Sequence, residues 1–186
     1  MNSLRIDPLA LEGAALVTSN PCRDERGTFA RLFCETELRS ILGERRIVSV
    51  NFSQTNMVGA VRGLHFQYRP HGETKLVRCL AGRVFDVIVD IRTGSSTFLH
   101  WTNVVLEPDK FQMVVIPEGC AHGFQVLESP ASLLYLHTAP HAPEAEGGLC
   151  PIDPRLSINW PLQIAQMSVR DQSFPHLTDD FYGVAQ

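Results

Sequence analysis

The chain has 186 residues, 44% hydrophobic and 19% charged, which is enough apolar material to bury a core and excludes a disordered polar chain. A net charge of −4 excludes a general nucleic-acid binder and confines any anion recognition to a local group of basic side chains. No run approaches the roughly 18 to 20 apolar residues of a membrane helix, and Met1 to Pro8 lacks an apolar signal core. The expectation is one domain over residues 1–186, cytoplasmic, with neither nucleic acid nor membrane as partner.

In chain order, Ala14-Ala15-Leu16-Val17 is a short apolar run. Asp24-Glu25-Arg26-Gly27 is a turn with a glycine for positive φ, and Thr28 to Phe33 resumes extended structure. Glu35 to Gly43 places Leu38, Ile41 and Leu42 at helical spacing with a glycine stop, which predicts one short helix. Arg45 to Gln54 reads as a strand and Asn56 to Gly59 as a polar loop. Beyond residue 60 the pattern is almost wholly β. Val61 to Gln67 alternates Leu64 and Phe66 with His65 and Gln67, so the histidine and the glutamine share one face.

Gly82-Arg83 reads as a turn before the strongest strand, Val84 to Ile91. There Phe85, Val87, Val89 and Ile91 face one way, and Asp86, Ile88 and Asp90 the other. Further strands are expected at 101–106, 112–116, 122–127 and 132–138, with breaks at Thr93–Ser96, Glu107–Asp109, Pro117–Gly119 and Ser129-Pro130. Short strands at this interval predict an antiparallel sandwich or barrel. The proline-rich stretch after Pro140 is expected to wrap back over it. Five scattered cysteines (Cys22, Cys34, Cys79, Cys120, Cys150) form no C-x-x-C pair and read as reduced, mostly buried thiols.

His65 follows Arg62 and precedes Lys75, a setting for proton transfer beside an anion. Two inward histidines on a small barrel, His65 and His122, raise a metal-binding reading. That reading needs a His-x-His pair, and here the second position is Gln67, a poor ligand. For His122 alone, a core imidazole bonded to a backbone carbonyl is an equal alternative. Tyr135 shares a face with Leu133 and His137 and is either packing or an acid. Lys75, on the face of Val77 and Cys79, either faces an anion or reaches the rim. Arg26 and Arg62 suit a phosphate or diphosphate, and idle surface arginines are equally common.

Several runs in order resemble the dTDP-4-dehydrorhamnose 3,5-epimerase family. They are Asp24-Glu25-Arg26-Gly27, Val61 to Gln67, Lys75-Leu76-Val77-Arg78, Gly82 to Val87 with Val89 to Arg92, Ile116 to Gly119 with Ala121 to Phe124, Leu134-Tyr135, and Ile158 to Pro161. The resemblance implies a mainly β, cupin-type antiparallel barrel or jelly roll with a few short helices. It implies a homodimer in which the N-terminal segment, about residues 1–35, packs on the partner and completes its site, and neither metal nor organic cofactor. The implied substrate is a nucleotide-diphosphate 4-keto-6-deoxyhexose, inverted at C3, C5 or both through an enolate in deoxysugar biosynthesis.

Residue by residue, the resemblance makes His65 the base, Asp171 its carboxylate partner, Tyr135 the acid on the far face and Lys75 the support for the enolate oxygen. Arg26, Asn51, Arg62, His122, Glu146 and Arg170 match the family's substrate contacts.

The departures cluster. Arg31 stands where a glutamate is usual, Pro140 and His141 where aromatics are usual, and Leu136 where a lysine is common. The expected activity is that of a dTDP-4-dehydro-6-deoxyglucose 3,5-epimerase or a close relative using another nucleotide, and these departures make CDP- and GDP-sugars the candidates for the latter. Rival readings are a related ketoisomerase, a metal-dependent cupin enzyme and a non-catalytic sugar-nucleotide binder.

Overall fold

The computed structural model describes residues 4–185. In chain order these form β1 (Leu4–Pro8), β2 (Ala15–Ser19), β3 (Cys22–Asp24), β4 (Gly27–Phe29), α1 (Glu35–Leu42), β5 (Ser49–Thr55) and β6 (Val61–Gln67). There follow β7 (Lys75–Asp90), β8 (Trp101–Leu106), β9 (Gln112–Ile116), β10 (Cys120–His137), β11 (Glu146–Gly148) and α2 (Val169–Ser173). The main sheet runs β1-β2-β9-β7-β10-β6-β11, with β5 on β10 and β8 on β7. All named pairings are antiparallel.

Two expected breaks are not breaks. Gly82-Arg83 lies inside β7 and Ser129-Pro130 inside β10, and the two long strands pair from Lys75↔His137 through to Asp90↔Cys120 with register shifts between. Extra residues at these bulges bend the strands and reverse which alternate set faces inward. Val77 and Cys79 join the central core before the bulge, and Val84 and Ile88 after it. On β10 the same exchange takes Phe124 and Val126 to Ala131 and Leu133. Gly82 has φ +70°, and a Cβ there would lie 2.4 Å from the Glu128 carbonyl oxygen, so the tight bend needs a glycine. Each long strand thus serves both halves of a cupin-like β fold.

The outer faces are covered from both ends of the chain. Leu38 and Leu42 of α1, one turn apart, bury against Leu4, Val17, Leu76 and Val115. Gly43 closes α1, its N–H donating to the Arg39 carbonyl at 2.9 Å. At the other face Val87, Val89 and Ile91 pack with Leu149, Leu156, Trp160 and Phe181, so the C-terminal stretch does wrap back as expected. Asp90, buried on β7, takes Arg92 at 2.8 and 2.7 Å together with Ser95 and Thr97, which pins the turn after the strand. Cys79, Cys120 and Cys150 are buried.

Near the N-terminus, the strand expected from Arg45 begins only at Ser49, and β1 has no counterpart in the sequence reading. β1 and β2 extend this chain's own sheet through β9, whereas β3 and β4 form a separate exposed hairpin carrying Phe29 at 76% exposure. Residues 1–3 of the expected partner-packing segment lie outside the described residues. No helix among the described residues is long and apolar enough to cross a membrane.

Gly63, within β6, is a second close backbone approach. Its φ is +116°, and an added Cβ would sit 2.5 Å from the Gly123 Cα and 2.6 Å from the His122 carbonyl oxygen. Gly63→Ala should therefore cost roughly 2–4 kcal/mol, from positive-φ strain plus overlap with a backbone that cannot yield. Urea denaturation checks this, and unchanged stability would refute the close-approach argument.

Candidate active site

A cavity of about 260 Å³ opens between β5, β6, β7 and β10. Its lining includes Asn51, Arg62, His65, Lys75, His122, Tyr135 and Glu146. Cross-strand register explains the convergence. His65 on β6 is opposite His122 on β10, Tyr135 is opposite Asn51 on β5, and His137 is opposite Lys75 on β7. Side chains directly opposite in an antiparallel pair stand side by side on one face.

His65 Nε2 lies 2.7 Å from Asp171 Oδ1. Asp171 reaches it from α2, where the Ser168 hydroxyl caps the helix by accepting from the Asp171 N–H at 3.0 Å. The second carboxylate oxygen accepts from the Gly63 N–H at 3.3 Å. Burial pushes the Asp171 pKa up, but the His65 contact and the Gly63 and Ser168 hydrogen bonds outweigh it and hold the group below its ordinary 3.8. An ionised aspartate bonded to one ring nitrogen fixes the tautomer and raises the basicity of the other.

This shift also has a stability consequence. A carboxyl whose folded pKa is depressed contributes stability that is present above its unfolded value and lost as pH falls through the folded one. Asp171→Asn should flatten the acid limb of thermal stability below about pH 4 and slow proton abstraction by about tenfold or more. Melts against pH and exchange rates check both. An unaltered acid limb would deny the coupling.

Tyr135 Oη is 3.2 Å from the Ser53 hydroxyl, and burial pushes the phenol up to about 12, with Ser53 offsetting only part. It is therefore protonated at neutral pH and able to donate. Lys75 Nζ donates to the His65 carbonyl at 3.3 Å and lies 3.2 Å from Glu73 Oε1. His122 Nε2 meets Asp86 Oδ2 at 2.8 Å. This replaces the backbone-carbonyl alternative with a buried second histidine–carboxylate pair. Burial raises the Asp86 pKa against the pull of His122, and Asp86 Oδ1 finds no hydrogen-bond partner among the described residues.

The remaining expected contacts divide. Asn51, Arg62 and Glu146 line the cavity, and Arg170 sits at its edge through a 2.9 Å bond to Glu146. Arg26 is not brought to the cavity within this chain; it pairs with Asp24 on the exposed β3–β4 hairpin. Of the departures, only His141 lines the cavity, 3.1 Å from Glu146. Arg31 pairs with Glu37, Leu136 packs in the core against α1, and the Pro140 carbonyl accepts from Gln67.

Gln67 also donates to the His71 carbonyl and accepts from the Ala142 N–H, so its amide is spent on loop geometry. No group of three or more His, Cys, Asp or Glu among the described residues is arranged to hold a metal ion.

Sequence reasoning assigned no role to Asp86, Glu73, Ser53 or His137. Asp86 carried a signal, a carboxylate on the inward face of the strongest strand. Glu73, in an irregular loop, carried none.

Fold and cavity together define the class: an isomerase-type acid–base site on a cupin-like β fold, with a carboxylate-backed histidine and a protonated tyrosine on different strands of one cavity. A family model described as dTDP-4-dehydrorhamnose 3,5-epimerase matches residues 8–179. The dTDP-4-dehydrorhamnose 3,5-epimerase of Sinorhizobium fredii (strain NBRC 101917 / NGR234) is 35% identical over 180 residues, 96% of this chain and 92% of that protein.

Among solved structures, the dTDP-6-deoxy-D-glucose-3,5-epimerase RmlC of Legionella pneumophila Philadelphia 1, in complex with dTDP-4-keto-L-rhamnose, superposes with a TM-score of 0.90. Identity is 36%, over 98% of this chain and 99% of that one. ChmJ, a 3'-monoepimerase from Streptomyces bikiniensis in complex with dTDP-quinovose, gives a TM-score of 0.85 at 33% identity, over 91% and 86%. The chain belongs to the dTDP-4-dehydrorhamnose 3,5-epimerase family.

Proposed function

We propose that this chain epimerises a dTDP-linked 4-keto-6-deoxyhexose at a carbon next to the ketone. The observation that carries the proposal is the sharing of one cavity by His65, Lys75 and Tyr135, with Asp171 behind the histidine. A proton α to a ketone is weakly acidic, so the site must supply a base and hold the enolate charge. Base catalysis contributes about 10²–10⁴-fold, and a preorganised donor at the oxyanion roughly 3–4 kcal/mol. His65 takes the proton, Lys75 faces the charge that develops on the ketone oxygen, and Tyr135 returns a proton to the opposite face.

The dTDP-sugars named in the Legionella and Streptomyces complexes support dTDP over CDP or GDP. His141 is the one departure at the cavity that bears on this choice. The decisive experiment is solvent deuterium incorporation into 4-keto-6-deoxy sugars linked to dTDP, CDP, UDP and GDP, followed at C3 and C5 by NMR. Exchange is expected with dTDP, and the labelled position reports whether one centre or both invert. No exchange at either carbon with any nucleotide would refute the epimerase reading.

The active form is proposed to be a homodimer in the cytoplasm. The exposed β3–β4 hairpin with Phe29, and the exposed Val50 and Phe52 on β5, suit burial against a second copy. Arg26 on that hairpin would then reach the partner's cavity. Analytical ultracentrifugation showing a monomer at assay concentrations would contradict this arrangement.

A further inference from the structure

Four histidines line the cavity and each meets a carboxylate: His65 with Asp171, His122 with Asp86, His141 with Glu146, and His137 with Glu73. The His137 pair is unused in the reaction derived so far, and it is joined to a group that is used. Glu73, 8% exposed in the loop between β6 and β7, divides its two oxygens. Oε2 lies 2.7 Å from His137 Nδ1, and Oε1 lies 3.2 Å from Lys75 Nζ. Burial pushes the Glu73 pKa up, but the His137 and Lys75 contacts overcome it and keep the carboxyl low, so it is ionised at neutral pH.

The charge count follows directly. Lys75 carries +1 and Glu73 −1, so with a neutral His137 the wall facing the developing oxyanion has no net charge. A cation already matched by a carboxylate stabilises a second anion less well. His137 is placed to correct this. It is the register partner of Lys75, its ring lies nearly parallel to Tyr135 at 6.1 Å and 18°, and its Nδ1 is turned to Glu73. Its Nε2 makes no hydrogen bond among the described residues. Of the groups around it, Glu73 favours its protonated form, Lys75 on β7 opposes it, Tyr135 is a neutral phenol, and β5 offers only the uncharged Ser49 and Asn51.

We propose that Glu73, Lys75 and His137 act as one unit. Glu73 is the positioning residue. His137, protonated and bonded to Glu73 through Nδ1, donates from Nε2 to the substrate oxygen that gains negative charge, keeping its proton throughout. The unit then carries +1 during enolisation and zero once His137 loses its proton. This rests on the epimerase reading.

The test compares wild type, His137→Gln and Glu73→Gln in deuterium exchange on the dTDP-4-keto sugar between about pH 5.5 and 9. His137 is followed in parallel by imidazole NMR of the free protein. Wild-type kcat is expected to fall as His137 deprotonates. His137→Gln should lower kcat by at least about tenfold with a smaller effect on KM, and should remove that limb. Glu73→Gln, nearly isosteric, should move both the limb and the His137 titration to lower pH, because the carboxylate bonded to Nδ1 is replaced by a neutral amide. The NMR shift separates electrostatic positioning from a structural role, because it does not depend on turnover.

A His137→Gln protein with wild-type kcat and pH profile, or a His137 titration unmoved in Glu73→Gln, would overturn the proposal alone. A wild-type protein that exchanges neither C3 nor C5 would overturn the epimerase reading and this inference with it.

Discussion

His65→Ala is expected to abolish solvent exchange at the carbon next to the ketone, a loss of about 10²–10⁴-fold or more. The imidazole is held against Asp171 at 2.7 Å and lines the cavity, so a single truncation removes both the proton acceptor and the side-chain partner of Asp171. The variant also leaves a buried carboxylate short of its partner, which itself costs stability. His65→Asn separates the two effects, because an amide still bonds Asp171 but accepts no proton at neutral pH. Exchange should be lost in both variants, with less stability lost in the asparagine one. Full exchange in His65→Ala would remove this histidine as the base.

Tyr135→Phe is expected to divide the reaction. Proton abstraction persists in part because His65 and Lys75 are untouched, while inversion falls by about 10²-fold or more because the opposite face has lost its donor. The phenyl ring retains the ring contacts with His122 and His137 and the packing against the central core. Only the hydroxyl bond to Ser53 is lost, a change of about 1 kcal/mol. Deuterated substrate of unchanged configuration is the signature, read by NMR. Inversion at the wild-type rate would place the acid elsewhere. Neutral pH suits the role, since burial pushes the phenol up to about 12 and keeps it protonated.

How far the amino-acid sequence reaches depends on the range of the interaction. Local alternation was sufficient for β6, β8 and β9, and helical spacing with a terminal glycine was sufficient for α1. The inward faces of Lys75, Val77 and Cys79, and of Leu133, Tyr135 and His137, were also legible, because side-chain direction in a strand is set by neighbours two residues away. Gly82 and Ser129-Pro130 misled because the same residues make turns and bulges. Only pairing along the whole of β7 with β10 makes them bulges here.

The carboxylates were the illegible part. Asp171 stands 106 residues from His65 and arrives on a five-residue helix in a wrapping tail, and resemblance rather than periodicity pointed to it. Asp86 and Glu73 acquire their partners, His122 and His137, only when β10 lies against β7 and the β6–β7 loop. By itself the chain determined the strands whose alternation is uninterrupted, the helix α1 and the face each side chain there occupies, since those follow from local backbone geometry. Which carboxylate meets which histidine, and so the charge inside the cavity, was decided by tertiary structure alone, because a hydrogen bond under 3 Å depends on long-range register that no local pattern encodes.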